Sequence, residues 1–224
     1  MNELLPAFEH SLFDTSIADI GIEFSELGID SILSDGILKD IPIVSTIIGF
    51  GKFAQNIHDR NLMKQTLAFI NEFNRGSINP QKKERYIMEI RENPKKLEEE
   101  LGRVLVLLNK NVDIIKSKFE ARFYSAYVDE KIDWDRFCEL SDITDRLFFS
   151  DISNLKKAYE SHGVRDVADI SYKHDRLISV GLLVNQARIS GGLHMKFVDS
   201  NEQQVYIRLT DVGNLFCDLA FEGA

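Results

Sequence analysis

From Thr15 to Gly163 the apolar residues recur at three- and four-residue intervals, and only beyond that glycine does any stretch alternate with period two. A helix buries one stripe of its surface, so spacing of this kind predicts a stack of amphipathic helices. The later alternation predicts strands, because side chains on a strand point to opposite faces in turn. The fold class expected is therefore mainly α: an N-terminal helical domain over 1–150, followed by a small α+β domain over 151–224.

The helical part reads in order. Ile17, Ile20, Phe24, Leu27 and Ile32 predict a helix over 15–33, weakened by Gly21 and Gly28 at about 1 kcal/mol each relative to Ala. Asp40 and Pro42 mark the next start, since a proline in the first turn withholds an N–H that had no partner there. Ile43, Ile47, Phe50, Ala54 and Ile57 then form one stripe. After His58-Asp59-Arg60 the stripe moves to Leu62, Thr66, Phe69 and Phe73, which predicts a bend or break. Helices follow at about 80–92, 95–111 and 113–128, two of them opening on Pro80 and Pro94. Asp133 is placed to cap the helix holding Trp134 and Phe137, and Ser150 to cap the next, which stops at Gly163.

Beyond Gly163, "DISYKHDRLISVGLL" predicts one helix stopped near Gly181. "LHMKFV" and "QVYIRL", joined by the turn "DSNE", predict a strand hairpin. Thr210 then caps a closing helix with Val212, Leu215, Phe216 and Leu219 on one face.

The order helix, helix, hairpin, helix resembles a winged-helix module. "DRLISVGLL" and "RLTDVGNLF" are similar to the third helix and the L-T-x-x-G start of the last helix in many bacterial winged-helix domains. There the threonine caps the helix and the glycine lets its first turn lie close to a neighbour. The usual second helix has only "GVRDVADI" to occupy, so the module departs from the pattern. Residues 40–150, through "LKDIPIVSTIIGFGKFAQNIHDRNLMKQTLAFINEF" and "IDWDRFCELSDITDRLF", resemble helical regions of uncharacterised bacterial and prophage proteins. The combined layout is similar to that of the Abi-alpha abortive-infection family. That resemblance implies a cytoplasmic accessory or effector in phage defence and supplies no catalytic residues.

The residues themselves offer little chemistry. The five histidines are scattered, and none has a second His or a Cys one helical turn away, so no metal ligand set is expected. Nucleophile-elbow, zinc-protease and phosphate-loop signatures are missing. The runs "EEE" at 98–100 and Asp133, Asp135, Glu139, Asp142 and Asp145 read as solvated faces. Cys138 and Cys217 are far apart in sequence, form no CxxC and read as reduced core thiols. No catalytic residue, cofactor or metal is expected, and the chain is read as no enzyme.

Charge bears on partners. The net charge of −9 opposes non-specific binding to nucleic acid or anionic lipid. "MNELLPAFEH" is acidic and lacks the basic start of a secretory signal, and "IPIVSTIIGF" is about half the length a membrane span needs. The candidate nucleic-acid residues are Lys173, Arg176, Arg188, Lys196 and Arg208, around the third helix and wing. They sit in a segment, 151–224, with eight Lys or Arg against ten Asp or Glu. The expected function is that of a non-enzymatic interaction protein, with a protein partner or a second copy of the chain. A winged-helix DNA-binding regulator and a membrane-perturbing effector are the alternatives.

Overall fold

The computed structural model describes residues 3–13, 41–49, 57–164, 169–185 and 207–222, and these are mainly helical. The chain divides into two compact units, Met1–Asp145 and Arg146–Gly223.

The N-terminal unit holds α1 (Leu4–Phe13), α2 (Pro42–Gly49), α3 (Ile57–Arg75), α4 (Pro80–Glu92), α5 (Pro94–Lys110), α6 (Ile114–Val128) and α7 (Trp134–Arg146, whose last residue lies across the boundary). Local chemistry sets the starts. Proline opens α2, α4 and α5. The Asn79 side chain accepts from the Gln81 and Lys82 N–H groups at 3.0 and 3.2 Å, Asn93 accepts from Lys96 at 3.1 Å, and Asp133 accepts from Arg136 at 2.8 Å. Each bond satisfies a donor that the first helical turn leaves unpaired.

Helix α6 is the axis of this unit. Its buried residues, among them Ser117, Phe119, Glu120, Phe123 and Tyr124, point to several sides, because neighbours flank it on more than one face. Helix α3 runs parallel to it: Ser117 Oγ donates to Gln65 Oε1 at 2.8 Å, and farther along both helices Phe73 meets Tyr124 at 5.8 Å. Helix α7 runs antiparallel, with Trp134 against Tyr127, Phe137 against Tyr124, and the Asp145 carbonyl receiving Lys116 Nζ. Helix α1 adds Phe8 over Phe69 and Phe13 over Phe73. Ser11 Oγ of α1 accepts the Ile43 N–H at 2.9 Å and ties down the start of α2.

Two expectations are corrected here. Ile43 and Ile47 are buried, but α2 ends at Gly49 and Ile57, first residue of α3, is 81% exposed. Ile57 therefore does not share the buried face of Ile43 and Ile47; Phe50 and Ala54 lie outside the described residues. Nor does α3 break after Arg60. Its first turns contain neither Gly nor Pro, and Asp59 there favours the positive end of the helix dipole. The helix expected over 15–33 lies outside the described residues.

The C-terminal unit holds α8 (Phe149–Glu160), α9 (Tyr172–Ser179), β1 (Leu183–Asn185), β2 (Ile207–Leu209) and α10 (Asp211–Cys217), which runs on into a π-helical turn, Asp218–Glu222. β1 and β2 are antiparallel, with Leu183 opposite Leu209 and Asn185 opposite Ile207. Val164 forms a further antiparallel bridge to Ile207, which is therefore flanked on both edges. Ile207 and Leu209 point inward and Arg208 outward, the alternation expected of "QVYIRL".

The hairpin differs from expectation. The described partner of β2 is Leu183–Asn185, and 193–198 lies outside the described residues. Gly181, at φ +82°, turns the chain directly out of α9, so Leu182 and Leu183 enter the core as extended backbone rather than as a last helical turn. Helix α9 is correspondingly shorter than the run 169–183 predicted. Helix α8 begins before Ser150: Asp151 Oδ2 reaches back to the Phe148 N–H at 3.3 Å, making Phe148 the capping position. The closing helix starts as expected. Thr210 Oγ1 accepts the Gly213 N–H at 2.9 Å and donates to the Gly181 carbonyl at 2.6 Å.

Candidate functional site

Helix α9 carries two of the five residues that the sequence singles out, Lys173 and Arg176. Lys173 is partly exposed, and Arg208, on β2, is exposed. Arg188 and Lys196 lie outside the described residues. Arg176 is placed differently. Its Nε donates to Asp151 Oδ2 at 3.0 Å and its terminal nitrogen to Asp151 Oδ1, a two-point clamp onto a carboxylate only 1% exposed. The guanidinium also lies over the Phe148 ring at 4.5 Å and the Tyr172 ring at 5.0 Å. Asp151 gains in turn from its place in the first turn of α8. The hydrogen bonds and charge of Asp151 hold the guanidinium above its usual pKa.

The outer surface of this clamp is aromatic. Phe148, Phe149 and Tyr172 are 59%, 66% and 65% exposed. Arg and large aromatic side chains are enriched at the energetic centres of protein interfaces, where their rings bury much area for few frozen torsions. Farther along α8, a groove of about 430 Å³ is lined by Asn154, Lys157, Asp169 and His174. His174 Nδ1 accepts the Ser171 N–H at 3.0 Å, so in the neutral ring the proton sits on Nε2.

The N-terminal unit contains a second polar centre, hidden in the "EEE" run. Glu98 and Glu99 are exposed as expected, but Glu100 is 5% exposed. Tyr86 donates to its Oε2 at 2.5 Å and Tyr127 to its Oε1 at 2.8 Å. Tyr86 spends its proton on Glu100, so the short Tyr86–Tyr124 contact has Tyr124 as the donor. Burial pushes the Glu100 carboxyl upward, against the pull of the two tyrosines and of Lys96. A cavity of about 160 Å³ beside it is lined by Lys82, Arg85, Glu89, Lys96 and Tyr127, and ion pairs tie its cations: Arg85 to Glu130, Lys96 to Glu89. One signal in the sequence does mark Glu100. It stands at i, +4, +7 with Val104 and Leu107, on the buried face of α5. Tyr86→Phe would strip one donor from Glu100 and the acceptor from Tyr124. Urea unfolding is expected to show a loss of about 1–3 kcal/mol.

Among the described residues no group of three His, Cys, Asp or Glu is placed to hold a metal ion, and no helix is long and apolar enough to cross a membrane. Cys217 is buried and Cys138 partly so, and neither is in a disulfide. No known protein family matches the sequence, no curated protein is similar to it, and no solved structure matches its fold.

Proposed function

We propose that this chain is a non-enzymatic interaction protein whose C-terminal unit is a winged-helix-like module used to contact protein rather than to read DNA. Support for the module comes from its order: α8, the bridging residue Val164, α9, β1, β2 and α10, with β2 between the other two extended segments. One observation carries the choice of partner. Arg176, on the helix that would enter the groove, is committed to Asp151 and stacked between aromatic rings that face solvent. A guanidinium already neutralised by a buried carboxylate gains little from a phosphate, whereas a ring-and-guanidinium surface suits a protein contact. The non-enzymatic reading is supported by Glu100, whose two oxygens are both taken by tyrosines. The resemblance to abortive-infection proteins supplies the setting: phage defence in a bacterial cytoplasm.

The DNA-binding regulator is the second reading, favoured by the same element order with Lys173 partly exposed and Arg208 exposed. Mobility shifts with genomic fragments at about 0.15 M salt separate the two, because exposed charges more than ~8 Å apart are screened there. Weak binding that this salt abolishes is expected. The double variant Phe149→Ser with Tyr172→Ala should stay folded, both side chains being exposed, and lose the partner that the wild type captures. Tight, sequence-selective DNA binding lost on Arg176→Ala would reverse the order of the two readings.

A further inference from the structure

The groove beside α8 is lined by a buried donor with nothing to donate to. His174, in the first turn of α9, is 6% exposed and lines that groove. Its Nδ1 receives the Ser171 N–H at 3.0 Å, with the Ser171 hydroxyl 3.3 Å away on the same nitrogen. That bond lies within the start of α9 and leaves the proton of the neutral ring on Nε2. Among the described residues no acceptor takes the Nε2–H. A buried N–H left without an acceptor is costly, and the groove is the open space that the ring borders.

Two charged groups line the same groove, the ammonium of Lys157 and the carboxylate of Asp169, both exposed. Elsewhere in this unit opposite charges within reach of each other pair, as Arg176 does with Asp151 and Lys156 with Glu160. Lys157 and Asp169 have no such partner among the described residues and do not meet each other. They stand farther apart than an ion pair allows. Between the polar groups the lining includes Ala158 and Val164, 2% and 9% exposed.

We infer that the groove binds a small zwitterion of the amino-acid class, its carboxylate accepting the His174 Nε2–H beside Lys157 and its ammonium facing Asp169. The His174 donor is fixed by its backbone bond and sets the place of the carboxylate, while Lys157 follows on a flexible stem. A phosphate would meet the same two donors but would bring its extra negative charge to Asp169. A plain carboxylate leaves Asp169 unanswered, and an apolar molecule leaves all three groups so. The volume of about 430 Å³ lies near the lower end of the roughly 300–1,000 Å³ of small-ligand sites, which suits an amino acid better than a nucleotide. None of these groups belongs to the Arg176 clamp.

The test uses the full chain and imidazole-nitrogen NMR, with the His174 signal assigned by its loss in His174→Asn. The probes are the L-amino acids one at a time, with acetate, methylammonium and inorganic phosphate at matched ionic strength. At least one amino acid should shift the His174 Nε2 signal saturably, and bind about tenfold or more tightly than acetate, the gain of one further charged contact. Lys157→Ala and Asp169→Asn change exposed side chains, should stay folded, and should each weaken that binding about tenfold. Lys156→Ala, whose ammonium lies over Phe221, should leave it unchanged. The site is overturned if no amino acid gives a saturable shift, or if acetate or phosphate binds as tightly as the best of them. Binding that survives either Lys157→Ala or Asp169→Asn undiminished also overturns it, because the zwitterion needs both charges.

Discussion

Gly213→Ala is expected to unfold the C-terminal unit or weaken it by upwards of about 3 kcal/mol. A Cβ at Gly213 would stand 2.0 Å from the Leu182 carbonyl oxygen and 2.9 Å from its carbon. These are backbone atoms and cannot rotate aside as a side-chain end would. The Leu182 carbonyl is held in place, for it accepts the Thr210 N–H at 3.0 Å. Leu182 and Leu183, just after the turn at Gly181, are buried at 0% and 1%. Relief therefore means lifting α10 off the hairpin, which pulls the Gly213 N–H from Thr210 Oγ1 and uncovers Phe216, Cys217 and Ala220. The control is Asn214→Ala at the next, exposed position, where a change within about 0.5 kcal/mol is expected. Thermal unfolding followed by tryptophan fluorescence reports only the N-terminal unit, since Trp134 is the one tryptophan. Circular dichroism or amide exchange of α10 is the measurement that checks this result.

Ile47→Asp should cost about 5 kcal/mol or more, on the scale of the whole stability of a domain. Ile47 is 2% exposed on α2, beside Ile43 and Val44 at 0% and 1%. An aspartate there either ionises or keeps a proton at neutral pH, and both states are expensive in an apolar contact. Ile47→Val removes one methylene and should cost about 0.5–1.5 kcal/mol. Ser45→Asp, exposed two positions away on the same helix, should leave stability nearly unchanged. Trp134 fluorescence in urea measures all three. An Ile47→Asp protein as stable as Ser45→Asp would show that the buried face of α2 has been misassigned.

Features legible before folding have their partners close by in the chain. Asn79, Asn93, Asp133 and Thr210 cap helices through N–H groups two or three residues ahead. Gly213 was legible too, because the closing-helix motif implies a close approach at that position. The pairing of β2 was not. The alternation in 204–209 shows that a strand exists and which of its faces is buried, but not which extended segment lies beside it. Here that choice was made by the turn at Gly181.

Burial of single polar groups was legible only in part. Glu100 and Glu120 both stand beside apolar stripes, yet an acid at the margin of a stripe is usually solvated, and the number of faces a helix buries depends on its neighbours. Helix α6 is covered on more than one side, so Glu120 enters the core along with Phe119 and Phe123.

The sequence by itself determined the mainly helical class, most helix starts, the inward face of β2 and the cap at Thr210, since backbone donors and side-chain period act over a few residues. Tertiary structure alone decided the fate of the charged groups. Tyr86 finds Glu100 across 14 positions and Arg176 finds Asp151 across 25. Whether a charge faces water, a phosphate or a buried carboxylate depends on which helix is packed against it, and local spacing does not carry that information.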